Sequence, residues 1–154
     1  LEELELLAAR LYTGPTFVKY NAVLQCRQLP DMPEHIAAIY RACHGNVYAT
    51  TLHAINSAIV KLGKLTVAST VWRGVSGGVL PDRFRSSNAY GVKGGIEAGF
   101  MSTTTNREVA MSYATTRGGP AVVFEVQQGM VDRGTDLSWL SQCAPSLSLQ
   151  PQRR

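Results

Sequence analysis

The chain is poor in several things that would make its function easy to guess. It has three cysteines, Cys26, Cys43 and Cys143, far apart and without a C-x-x-C pair, which argues against a disulfide framework and leaves buried free thiols as the expectation. The three histidines, His35, His44 and His53, stand at no zinc-ligand spacing with those cysteines, so no metal site is expected. No apolar run is long enough to span a bilayer, and the acidic start does not resemble a secretory leader, so no membrane association is expected and localisation stays open. Charged residues make up only 17%, and the net charge of +4 is spread without a basic run or stripe, which gives a nucleic-acid surface little support. What remains is the composition of one globular domain, with 45% hydrophobic residues in 154.

The first 65 residues have helical periodicity. Leu4, Leu7, Ala8 and Leu11 form a stripe behind Glu2, Glu3 and Glu5, where the helix dipole favours acids, and Gly14-Pro15 ends it. Pro15 suits the first turn of a second helix carrying Phe17, Tyr20 and Leu24. Asp31 is expected to cap a third, with Pro33 just inside and Ile36, Ile39, Tyr40 and Cys43 buried. The strongest period joins Tyr48, Leu52, Ile55, Ile59 and Leu62, ending at Gly63, and predicts a helix lying across a sheet.

From residue 66 the texture changes. Val67 to Trp72 is rich in β-branched residues and runs into Arg73-Gly74, predicting a strand that ends there. Residues 76–95 hold five glycines and Pro81 and predict a long surface loop, a feature usually functional or disordered. Ile96 to Thr104 is a second strand candidate; Asn106 then caps a helix with Val109, Ala110, Tyr113 and Ala114, ended by Gly118-Gly119-Pro120. Ala121 to Val126 is a third strand, with Val122, Phe124 and Val126 on one face. Helices first and strands second predict an α+β domain over residues 1–142, with 1–65 helical and 66–142 strand-rich.

Two predicted strands finish on polar groups. A guanidinium such as Arg73 can hold a phosphate by paired, charge-assisted hydrogen bonds, and Gly74 lets a ligand approach the main chain; taken alone, Arg73 is as well explained as a surface residue on an edge strand. The glycine run "GVSGGV" lacks the lysine and hydroxyl of a P-loop. Ser102 to Thr105 line a strand end with hydroxyls that can bond an amide or orient a carboxylate, while Thr105 and Asn106 also begin the next helix.

Together, "WRG" and, some thirty residues on, "GFMSTT" opening a helix resemble the arginine-serine-glutamate class of NAD+-dependent mono-ADP-ribosyltransferases. The resemblance extends through "LHAINSAIVKLGKL", "NAYGVKGGIEAGFMSTTTNREVAMSYA" and "VVFEVQQGMVDRGTDLSWLSQ", roughly residues 40–142. It implies helices packed on a small mixed or antiparallel sheet with an NAD+ cleft. It implies that Arg73 contacts the phosphates and ribose, that the Gly74 backbone meets the nicotinamide carboxamide, and that Ser102 is the family serine, with Thr103 and Thr104 completing the hydroxyl motif under the nicotinamide ribose. Residues 76–95 would wrap the dinucleotide. The implied reaction is transfer of ADP-ribose from NAD+ to an arginine of a protein acceptor, with release of nicotinamide.

One departure stands out. The family places a Glu-x-Glu motif a few residues after a segment like "SWLSQ"; here Ser146 and Ser148 fall about there, and no acid follows Asp136. A serine has no charge to set against a developing cation. Glu97, Glu125, Asp132 and Asp136 are the remaining acids that could substitute, with Glu97 and Glu125 expected on outward strand faces and the aspartates in turns. Residues 143–154, rich in Ser, Pro and Gln, are expected to be a divergent, disordered tail on a truncated or divergently spliced member, leaving the last strand with an exposed edge.

Overall fold

A computed structural model describes residues 1–28, 32–116 and 118–142. Asp31 and the tail from Cys143, with Ser146 and Ser148, lie outside them. The domain is α+β, with five helices and a two-stranded antiparallel sheet among the described residues.

Helix α1 (Glu3–Tyr12) begins with reciprocal bonds between Glu2 and Glu5, which satisfy orphan amides of the first turn. Its buried face is not the leucine stripe. Glu5, Ala8, Ala9 and Tyr12 are buried, whereas Leu4, Leu7 and Leu11 are exposed by 65%, 51% and 44%. The reason lies in α4 (Ala49–Gly63), the main partner of α1. There Ser57 Oγ and Lys61 Nζ donate to Glu5 Oε1 at 2.6 and 2.5 Å, so the carboxylate enters the contact already partnered, and the small Ala8 and Ala9 bring the two helices close. Ile55 and Ala58 of α4 are fully buried there. Thus α4 packs on a helix and not across the sheet.

Helix α2 (Phe17–Gln28) buries Tyr20, Ala22 and Val23, with Phe17 half-buried against the core and Pro15 left in the preceding turn. Helix α3 (Glu34–Arg41) starts with Pro33 at its N-cap and packs on α2. It keeps Ile36, Ile39 and Tyr40 only half-buried; the buried residue is Cys43, just past its end.

Strand β1 (Thr70–Ser76) begins three residues later than its β-branched run and continues through Arg73 and Gly74. Its partner, β2 (Ala121–Gln127), sets these limits: Thr70 lies opposite Gln127, Arg73 opposite Phe124 and Ser76 opposite Ala121, while Val67, without a partner strand, is 83% exposed. Arg73 is therefore mid-strand. The expected strand over 96–104 is not one. Only Thr104 pairs with β1, in a single bridge to Trp72, because Asn21 of α2 takes over the main chain before it. The Asn21 amide donates to Phe100 O (3.2 Å) and accepts from Phe100 N (2.9 Å), replacing a neighbouring strand.

Helix α5 (Arg107–Thr115) starts where expected, Asn106 Oδ1 accepting from Glu108 N at 2.8 Å and Val109 N at 3.4 Å. It covers the sheet face that carries Trp72 and Gly74. Of the loop expected over 76–95, Ser76 closes β1, and residues 77–95, between β1 and α5, contain only one short 3-10 turn, Asp82–Phe84.

Candidate functional site

The opposite face of the sheet opens on a cleft of about 650 Å³. Its walls are the C-terminal end of α1, the start of β1, the segment 99–105 and the segment 134–138. Side chains alternate along a strand, so Ser69, Val71 and Arg73 share the cleft-side face and Trp72 and Gly74 the face under α5.

Ser102, Thr103 and Thr104 all line the cleft. The Ser102 hydroxyl lies 3.0 Å from the Tyr12 hydroxyl, which also donates to Phe100 O at 3.1 Å, so α1 fixes both the backbone and the side chain of this segment. Thr104 has a different duty. Its main chain exchanges bonds of 2.8 and 2.9 Å with Trp72, and its Oγ1 accepts from Asn106 N at 3.1 Å. Thr103 is exposed.

Arg73 does not line the cleft itself. Its side chain, 27% exposed, reaches the same segment: Nη1 donates to Ser102 O at 3.4 Å and Nη2 lies 3.9 Å from Glu97 Oε2. At that separation, and partly in solvent, the ion pair with Glu97 is weak and can be exchanged for a better anion. Glu97 is held as well, accepting from Gln25 Nε2 at 3.0 Å and Gly99 N at 2.9 Å. Arg73 and Ser102, 29 residues apart in the chain, are thus neighbours at one rim.

Gly74 is glycine for a different reason than ligand approach from its side-chain face. A Cβ there would lie 1.9 Å from Ala110 O, so the absent side chain is what lets α5 sit on β1. Its peptide groups are placed otherwise. Trp72 turns its N–H and C=O to Thr104, away from β2, and in an antiparallel ladder the residue two further along turns the same way. The Gly74 amide and carbonyl therefore face the edge of β1 beyond Thr104.

Two polar groups of the cleft carry no local sequence signal. Gln128 follows β2, and its Oε1 is buried with no partner among the described residues. Asp136, named in the sequence only as one of four remaining acids, faces the cleft as well. Its Oδ1 accepts from Ser138 N at 2.8 Å, and the Ser138 hydroxyl and amide hold its carboxyl below the usual carboxylate range. Glu125 is exposed on β2, and neither it nor Asp132 lines the cleft. Among the described residues there is no cluster of three or more His, Cys, Asp or Glu side chains able to hold a metal, and no helix is long and apolar enough to cross a membrane.

Compared with protein-family models, with curated proteins and with solved structures, the chain matches none.

Proposed function

We propose that this chain is an ADP-ribosyltransferase-like domain that binds NAD+ between the Arg73 rim and the Ser102–Thr104 wall, with a transfer activity weakened by the lack of Glu-x-Glu. The observation that carries the reading is the contact of the Arg73 guanidinium with the Ser102 carbonyl at the rim of a cleft lined by the Ser102 and Thr103 hydroxyls. A dinucleotide needs both ends served, a cation for its pyrophosphate and hydroxyls for a ribose, and these are adjacent here. The Gly74 peptide, turned to the open edge of β1, can pair with the carboxamide of a bound nicotinamide. The reaction implied is heterolysis of the nicotinamide–ribose bond: the electron pair stays with the nicotinamide nitrogen, and a protein arginine or water attacks the ribosyl carbon. No metal is needed for either role, since NAD+ serves as substrate.

Titration calorimetry with NAD+ and an assay of nicotinamide release test this together. Arg73→Ala is expected to weaken binding at least tenfold, the loss of about 1.4 kcal/mol of charge-assisted bonding. Unchanged binding in that variant, or no binding by the wild-type chain at millimolar NAD+, refutes the reading. The serines at both glutamate positions favour a second reading, a module that binds NAD+ without turning it over; binding with no nicotinamide release above the buffer rate would select it.

A further inference from the structure

Among the described residues that line the cleft, Asp136 is the only acid, and there is no Lys, Arg or His. The cleft wall carries the carboxylate of Asp136, an exposed residue, and Gln128, whose Oε1 is buried with no partner among the described residues. A lining with one acid and no cation repels phosphate and suits a ligand end that carries positive charge. In NAD+ that end is the nicotinamide riboside, whose pyridinium ring is a cation, and the pyrophosphate would remain outside at Arg73.

Asp136 is also held in place. Its Oδ1 is tied to Ser138 N, and its carbonyl accepts from the Trp139 indole N–H at 3.1 Å, so both ends of the residue are anchored in the 136–139 turn. A carboxylate fixed before the ligand arrives stabilises a developing cation without reorganising, which is the condition under which such a group accelerates a reaction.

Resting on the function proposed above, we propose that Asp136 supplies the negative charge that the missing glutamates do not, facing the ribosyl cation during cleavage of NAD+. As the C1′–N bond breaks, its electron pair neutralises the pyridinium nitrogen and C1′ becomes cationic. Water oxygen bonds to C1′ and releases one proton to solvent, giving ADP-ribose and nicotinamide. Asp136 forms no bond and keeps its charge throughout.

The test uses the whole chain. In Asp136→Asn the side-chain oxygen that accepts from Ser138 N remains and only the charge is lost, so the turn and the melting temperature should hold. Nicotinamide release at saturating NAD+ should fall on the order of a hundredfold, with NAD+ affinity changed less than threefold, and Asp132→Asn, off the cleft, should match the wild type. Equal release rates in Asp136→Asn and the wild type overturn this inference alone. Wild-type protein that binds NAD+ but releases no nicotinamide also overturns it while leaving the binding reading intact. Failure of the wild type to bind NAD+ overturns both.

Discussion

Replacing Gly74 by alanine would put a methyl carbon 1.9 Å from the carbonyl oxygen of Ala110 and 2.9 Å from the amide nitrogen of Ala114. Both are helix backbone, so no side-chain rotation can relieve the clash. For the methyl to reach ordinary contact, α5 would have to retreat by about 1.5 Å. That retreat opens a gap beneath Ala110 and Ala114, which are buried against the sheet, and forfeits their close contacts with β1. Overpacking with a backbone shift costs about 1–3 kcal/mol and more when the obstacle is rigid, so about 3 kcal/mol is the expected loss. With a urea dependence of about 2 kcal/mol per molar, the unfolding midpoint should fall by about 1.5 M, read by circular dichroism without any ligand. Gly77→Ala gives the scale. That glycine has φ of 73° and nothing within 4 Å of a built Cβ, so only backbone strain of about 1 kcal/mol is expected. A Gly74→Ala protein within about 0.5 kcal/mol of the wild type would refute the account of α5 seated on a bare strand.

The other expectations concern the helical layer and the clamp on the cleft wall. Lys61 and Ser57 depress the Glu5 carboxyl from 4.5 to about 2, so between these values the unfolded chain binds more protons than the folded one and stability rises with pH. The Glu5 contribution is complete above about pH 4.5 and lost as pH falls through about 2; acid unfolding followed by circular dichroism should show this slope, and Lys61→Met should flatten it. An identical acid profile in Lys61→Met would count against the Glu5–Lys61 pair. Asn21→Ala removes both bonds to the Phe100 peptide and should cost about 1–3 kcal/mol, with faster hydrogen exchange at the Phe100 amide and weaker NAD+ binding; undiminished protection of that amide would show that Asn21 does not hold the wall.

How far each feature could be read in advance follows from the range of the interactions behind it. The Asn106 cap, α5 and the extent of α4 up to Gly63 depend on residues within a few positions of one another, and they came out close to expectation. So did β2, apart from one added residue. The leucine stripe of α1 misled because a carboxylate is normally a surface residue, and only the arrival of Ser57 and Lys61, 52 and 56 residues away, makes Glu5 the better one to bury. The 96–104 segment looked strand-like from its extended, apolar residues; Asn21, in another helix, took the hydrogen bonds that a strand would have needed.

For the cleft, the division is sharper. Residue chemistry was visible beforehand: an arginine beside a glycine, a hydroxyl run before a helix cap, four scattered acids. Tertiary structure decided that Arg73 lies mid-strand and reaches the Ser102 carbonyl, that Gly74 faces α5, and that Asp136 alone of those acids lines the cavity. The sequence by itself determined the helical first half, the capped α5 and the kinds of group available, because propensity and capping act over one or two turns. Only the fold decided which of them meet, because strand register and the facing of each helix are set by partners tens of residues away.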